Sequence, residues 1–464
     1  MTTATATPLA RHAEANAQAL ADLRARVADA GVEYVYYQFV SLNGRVLGKV
    51  APAAHLERNL LRGVQFHASA IADLTANRHG ALIGAGLEAE EFVALPDPDT
   101  FAPLPWDGGF GRLLCRLYRR GDRRTQAGEP LPTDPRGALE AAHTAFAART
   151  GLTLRSGCEP EMSWLGAGVD VRSRPGMSPA YHVGALETMR PVVVRVVAYA
   201  RAMGLDMIEG DYEDTGQLEL NFQFDDCART CDRLITYRQI CAQVARELGV
   251  TATFMPKPTV GAMANGCHHN LSLWRDEENV FVDPGEPVLH VSVTARHAVG
   301  GLLTHAAGAM ALFAPTVNSY ARFWDVGQFA PAVANWGYDN RTCAVRVSAS
   351  GRLELKLPDS SVNPYLSHIA ILAMLADGLE RRLDPGPAQQ GSSYAAAVAD
   401  HPRFAPLPRT LGDALAALDG DAVLRAGFPP ELVALFVEYK TDEWEQFCGA
   451  VTDWHRTMYL DALP

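Results

Sequence analysis

No two of the eight cysteines in this chain form a C-x-x-C pair; they are scattered at 115, 158, 227, 231, 241, 267, 343 and 448. Neither a zinc ribbon nor a disulfide framework is expected, and the thiols read as reduced. The start, Met1-Thr2-Thr3-Ala4-Thr5-Ala6-Thr7-Pro8, lacks the basic residues and apolar stretch of a signal peptide. No apolar run is long enough to span a bilayer: the longest, Val299 to Pro315, contains His305 and reads as a buried helix. No lysine or arginine block offsets the net charge of −12, which argues against a nucleic-acid partner. Neither a Walker P-loop nor a G-x-G-x-x-G is present, so a nucleotide cannot rest in a glycine cradle. A cytoplasmic protein with no membrane partner is expected.

What is present suits a globular chain of two or three domains: 464 residues, 48% of them apolar. Residues 1 to about 12 read as disordered, and apolar spacing predicts a helix over His12 to Ala30. Tyr34 to Val40 and Val46 to Val50 bracket Ser41-Leu42-Asn43-Gly44, a hairpin signal. Strands at Phe92 to Pro98 and Gly111 to Tyr118 complete a small β-rich module, and the polar stretch Arg119 to Asp134 reads as a connection. Beyond it come a helix from Pro135, the Glu159 strand and a loop through Arg174-Pro175-Gly176. A helix near Pro191 to Ala202 precedes the Glu213 and Glu219 strands, and a helix capped by Asp225 or Asp226 ends at Gly249. Strands are then read at Val250 to Pro258 and Gly266 to Leu273, which makes the second part α+β with a mostly antiparallel sheet.

The chemistry concentrates in Ser156 to Trp164. Alternation sends Glu159 and Glu161 to one side of a strand and Cys158 and Met162 to the other. Gln217, Glu219 and Asn221 repeat the pattern opposite Leu218, Leu220 and Phe222, and Arg352-Leu353-Glu354-Leu355-Lys356-Leu357 repeats it again. As neighbours, these strands form a concave acidic surface, which needs cations or protons to hold like charges together. His268 and His269 face opposite sides of their strand, so only one joins. Glu159, Glu161, Glu213, Glu219, Glu354 and one histidine make an oxygen-rich set suited to Mg²⁺ or Mn²⁺. Arg322, Arg341, Arg346, Arg352 and Lys356 supply the positive charge that phosphoryl transfer beside divalent ions requires.

Taken in order, Gly157-Cys158-Glu159-Pro160-Glu161, Gly216-Gln217-Leu218-Glu219, Phe254-Met255-Pro256-Lys257-Pro258, Asn318-Ser319-Tyr320-Ala321-Arg322, Asn340-Arg341 and Pro358-Asp359 with Asn363-Pro364-Tyr365-Leu366 resemble the glutamine synthetase family over nearly the whole chain. Lys440 to Glu445 and Val451 to Trp454 look like its closing helices. The resemblance implies an N-terminal tail and helix (1–30), a β-grasp domain (31–125) and a catalytic domain (130–464) with a curved antiparallel sheet. It implies a homo-oligomer, a double-ring dodecamer with active sites between subunits. The activity implied is attack of a γ-carboxylate on ATP, giving an acyl phosphate that an amine captures. By resemblance, Glu161, Glu213 and Glu219 ligate one metal and Glu159, His268 and Glu354 the other. Arg322 holds the amino acid, Arg341 and Arg346 the phosphates, and Ser272 and Arg352 lie near the nucleotide.

The chain departs from the family at the amine. Two acids expected around an ammonium ion are replaced by His67 and by Gln328 or Phe329. A γ-glutamyl ligase acting on an organic amine is therefore expected, either aromatic in a pocket of Phe329, Trp336 and His67 or a short alkylamine. An ammonia-using synthetase, a polyamine or ethanolamine ligase and a non-catalytic relative are the alternatives. Asn270 replaces the family's second histidine, leaving a phosphate contact weaker or supplied by His269. Glu213 and Glu219 are one residue closer than usual, and Lys356 stands where an arginine helps grip glutamate, which opens the identity of the acid substrate.

Overall fold

The computed structural model describes residues 17–121, 127–166, 178–324, 329–395 and 405–461. The expected disordered start, the Arg174-Pro175-Gly176 loop and Gln328 lie outside them. The first helix is Ala17–Asp29, and the hairpin forms as read: Tyr34–Val40 (β1) buries Val35, Tyr37 and Phe39, and Val46–Pro52 (β2) returns antiparallel. Gly44 supplies the φ of 75° that the reversal needs.

Val64–His67 (β3), Glu91–Pro96 (β4), Ala102–Leu104 (β5), Asp107–Arg120 (β6) and Ala127–Pro130 (β7) complete a seven-stranded sheet of order β2-β1-β6-β4-β3, with β5 and β7 on β6. β7 falls inside the stretch read as a plain connection; its pairing with Tyr118 and Arg120 extends the sheet beyond that point.

The second sheet has ten strands. Its main path runs Trp336–Tyr338 (β16), Val345–Ala349 (β17), Arg352–Leu355 (β18), Cys267–Arg275 (β13), Thr153–Leu165 (β8), Gln217–Phe222 (β10) and Met207–Asp214 (β9). Asp225–Asp226 (β11), Thr251–Thr253 (β12) and Glu278–Asn279 (β14) attach at the side, and a separate pair joins Val333–Ala334 (β15) to Ala405–Pro406 (β19). All pairs in the ten-stranded sheet are antiparallel except β16 with β17, and the sheet curves, nearly closing. The strand read over Val250 to Pro258 is only β12; Pro256 and Pro258, which cannot donate to a ladder, keep it short.

One face of β8, β9 and β10 packs Met162, Trp164, Tyr212, Leu218 and Leu220 against helices Arg190–Ala202 and Cys227–Leu248. Asp226 caps the latter by accepting from Ala228 N–H, and Gly249 closes it. The larger core cluster joins the first sheet to helix Pro364–Glu380. Asn363, which caps that helix, ties it to the turn of the first hairpin by donating to Ser41 O and Leu42 O. The apolar run read as one helix is two, Val293–Thr304 and Ala306–Phe313, interrupted at His305, whose ring lies between Asp377 and Asp421. Among the described residues no helix is long and apolar enough to cross a membrane, and the cysteines are free thiols.

Candidate active site

Strand register brings the acids together. Glu159 stands opposite His268 on β13, Glu161 opposite Glu219 on β10, and Arg346 opposite Glu354 on β18. Glu213 arrives by an irregularity. Gln217 pairs with Asp214 but Leu218 with Tyr212, so Glu213 is the unpaired residue of a β-bulge, and the bulge absorbs the short spacing to Glu219. The opposite faces carry the core residues, as alternation requires.

His268 occupies the centre. Its Nδ1 lies 3.4 Å from Glu159 Oε2 and 3.5 Å from Glu354 Oε1, and its Nε2 lies 3.8 Å from Glu161 Oε1 and 3.2 Å from Lys356 Nζ. Donor atoms of Glu159, Glu219 and His268 fall within 4.8 Å of one another. Amides hold the carboxylates in place: Asn221 Nδ2 donates to Glu219 at 2.7 Å, Asn270 Nδ2 to Glu159 at 2.8 Å and Gly266 N–H to Glu161 at 2.6 Å. Gly266 leaves necessary room, since a Cβ there would come within 3.0 Å of both Arg322 Nη2 and His268 Nε2.

The electrostatics show what the cluster lacks by itself. Burial and then the charges of Glu159 and Glu161 push the Glu219 carboxyl well up, and burial and Glu161 push Glu213 to about 8. Burial likewise raises Glu161. Glu354 goes the other way: burial opposes it, but Lys356 and His268 hold it below the usual range. Burial and Lys356 drive the His268 pKa well down, leaving a neutral imidazole fit to be a ligand. Crowded carboxylates with one neutral nitrogen fit hard divalent cations, whose charge would reverse the repulsion.

The basic residues divide. Arg346 Nη1 binds Glu354 Oε2 at 2.9 Å, and Lys356 is enclosed beside Glu354 at 3.4 Å. Arg322 is buried beneath Gly266, donating to Leu357 O and Lys356 O at 3.1 Å each. Arg341 is exposed, yet its charge acts on Glu213 and His268. Ser272 and Arg352 line a cavity of about 420 Å³ beside Glu159.

Two expectations, for Trp336 and for His269, come out differently. Trp336 cannot line an amine pocket: it is 2% exposed, lies in β16 and donates Nε1–H to Gly386 O. His269 faces the core and stacks on His368, so it cannot touch a phosphate on the acidic side. Asn270 supports Glu159. His67 is not brought to the cluster; its ring nitrogens are engaged by Leu87 O and Ser69 N–H within the first sheet's own loops. Phe329 is half exposed at φ 58°, next to Ala330, whose carbonyl accepts from Tyr394 Oη.

Sequence reasoning missed the role of Gly266 and the aromatic wall of the cavity, where Phe224 and Trp274 stack with ring centroids 6.5 Å apart. Only the Asn265-Gly266 step before the histidine pair carried a signal, a glycine at a strand start; the aromatic pair comes from segments 50 residues apart.

The family model for the glutamine synthetase catalytic domain matches residues 132–459. The chain belongs to the glutamine synthetase family. A glutamate–methylamine ligase of Methyloversatilis universalis is 34% identical over 445 residues, 93% of this chain and 96% of that one. A glutamine synthetase of Thermococcus kodakarensis is 33% identical over 423 residues, 89% of this chain and 90% of its own. Among solved structures, a GmaS/ADP complex superposes with a TM-score of 0.84 at 32% identity, covering 95% of this chain and all of that one. As a glutamine synthetase family member the chain is an ATP-dependent carbon–nitrogen ligase, and the family works with divalent metals.

Proposed function

We propose that this enzyme joins the γ-carboxyl of glutamate to a small organic amine through γ-glutamyl phosphate. The observation that carries the reading is the acidic cluster centred on His268 in a chain whose two ammonium-pocket acids are replaced. The similarity to a glutamate–methylamine ligase supports a short alkylamine as the second substrate. An aniline-like amine is the second reading; exposed Phe329 favours it, although Trp336 does not contribute.

Glu161, Glu213 and Glu219 would hold one Mg²⁺ or Mn²⁺ ion, and Glu159, His268 and Glu354 the other. When bound, these ions neutralise the carboxylates and polarise the terminal phosphate of ATP. The adenosine end would lie along Phe224, Trp274 and Ser272, with Arg352 beside Glu159. Arg341 and Arg346 take the charge that develops on the transferred phosphoryl group. Arg322, buried beside Gly266, would receive the glutamate, with Lys356 near it. A γ-carboxylate oxygen attacks phosphorus and ADP leaves; the amine nitrogen then attacks the acyl carbon, phosphate leaves and the nitrogen gives up a proton. His67 and Phe329 would frame the amine without an anion, so a short alkylamine, protonated in water, gives up a proton on entry and attacks as the neutral amine, while its alkyl group, unlike ammonium, gains from an apolar wall.

His67 and the cluster belong to separate sheets, which fits sites completed between subunits of a double-ring dodecamer. On this reading residues 1–30 are a tail and helix, 31–125 the β-grasp domain and 130–464 the catalytic domain. Free thiols at all eight cysteines suit the cytoplasm.

The test is ATP-dependent phosphate release with Mg²⁺, glutamate and a panel of methylamine, ethylamine, aniline, putrescine and ammonia. A short alkylamine should give the highest kcat/KM; ammonia in first place would overturn the reading.

A further inference from the structure

Directly behind the acidic cluster, on the core face of the same two strands, lies a second group of donors that the reaction does not use. Cys158 on β8 stands opposite His269 on β13, and Cys267 stands opposite Pro160, two residues along. All three side chains therefore share one face. Their donor atoms lie within 4.8 Å of one another, and each residue is at most 2% exposed. Around tetrahedral zinc, with bonds of about 2.3 Å to sulfur and about 2.0 Å to nitrogen, neighbouring donors stand roughly 3.5–3.8 Å apart. A contraction of about 1 Å would close the set.

The imidazole is already aimed. His269 Nε2 lies 2.9 Å from Ser367 Oγ, whose own hydroxyl reaches Pro364 O at 3.0 Å. Ser367 thus accepts Nε2–H, and the Nδ1 lone pair accepts from the Cys158 thiol at 3.7 Å, a proton that an ion would replace. Stacking on His368, centroids 4.8 Å apart and 24° between planes, fixes the ring. A ligating histidine is oriented in this way, by an outer hydrogen bond on its other nitrogen. The donors are soft where those of the front face are hard, so the two faces select different ions.

We propose that Cys158, Cys267 and His269 form a second metal site, for a thiophilic divalent ion of the zinc class, on the back of the catalytic sheet. Binding releases both thiol protons to solvent as the ion enters. Occupancy draws β8 and β13 together behind Glu159 and His268, the residues that adjoin Cys158 and lie between Cys267 and His269. The site therefore gives a thiophilic ion a means of slowing turnover without entering the active site.

The experiment uses the full-length chain carrying Cys448→Ser, which removes the exposed cysteine, in excess Mg²⁺. Cadmium is added with long equilibration. A thiolate-to-cadmium charge-transfer band should grow and saturate at one ion per chain, turnover should fall in parallel, and the band should vanish in Cys158→Ser or Cys267→Ser. His269→Gln should weaken binding by about 10- to 100-fold. Absence of the band in the folded Cys448→Ser protein overturns the proposal, as does a band undiminished in both serine variants. Should those variants fail to fold, the cadmium NMR shift of the parent protein decides: mixed sulfur and nitrogen donors support the site, and oxygen donors alone overturn it.

Discussion

Lys356 Nζ lies 3.2 Å from His268 Nε2, with both side chains enclosed in the sheet. The lysine can only donate, so Nε2 accepts and the Nδ1 side faces Glu159 and Glu354. Lys356→Met leaves buried Glu354 with Arg346 as its cationic partner. Denaturant unfolding should show a loss of about 3 kcal/mol, the cost of breaking a buried pair. Unchanged stability would show that Arg346 alone suffices.

Gly266→Ala places a methyl group within 3.0 Å of Arg322 Nη2 and His268 Nε2. Displacing site atoms by about 1 Å can cost roughly a hundredfold in rate, and that loss is expected here with the melting temperature nearly unchanged. Near-native kcat would mean that the glycine serves the backbone alone.

Asn221 donates to Glu219 at 2.7 Å from the edge of the 420 Å³ cavity. Asn221→Leu should weaken the metal dependence of turnover by about 10- to 100-fold while leaving saturated activity largely intact. A normal Mg²⁺ titration would remove Asn221 from the support of the site.

Trp274 forms the wall of the 420 Å³ cavity, with the Arg155 guanidinium 4.2 Å above its ring. Trp274→Ala should cost about 1 kcal/mol of nucleotide binding, roughly fivefold in Kd, with the KM for glutamate unaltered. An unchanged ADP affinity by calorimetry would put the nucleotide elsewhere.

His305 gives a pH signature away from the site. Burial lowers its pKa, but hydrogen bonds to Asp421 and Asp377 outweigh burial and hold it above 6.5. Its stabilisation is complete below the unfolded value and is lost as pH rises through the raised folded one. Asp421, whose pKa burial raises but His305 brings below 3.8, contributes above its unfolded value and loses that contribution only as acid carries it through the depressed one. The wild type should therefore lose melting temperature more steeply than His305→Gln as pH rises above the ordinary imidazole value of about 6.5. Parallel curves would assign the slope to other groups.

Much of the site was legible because a strand's side chains alternate by rule. Glu159 with Glu161, and Glu219 with Gln217 and Asn221, were placed on the correct face from local order alone. The aromatic pocket failed on Trp336 because a three-residue strand carries too little alternation to reveal its inner face. The short Glu213 spacing could not be resolved either, since a bulge depends on where the partner strand pairs. The break at His305 was hidden for a similar reason: its two aspartates come from residues 377 and 421.

By itself the sequence determined which faces the carboxylates occupy, where the hairpin and the capped helices lie, and which family of ligases the ordered motifs match. These follow from side-chain geometry within a few bonds. Only the tertiary structure decided that Glu213 sits on a bulge, that Arg322 lies beneath Gly266, and that Phe224 and Trp274 share a wall. Each of those depends on the register between strands and on contacts between distant segments, and local order along one strand does not set them.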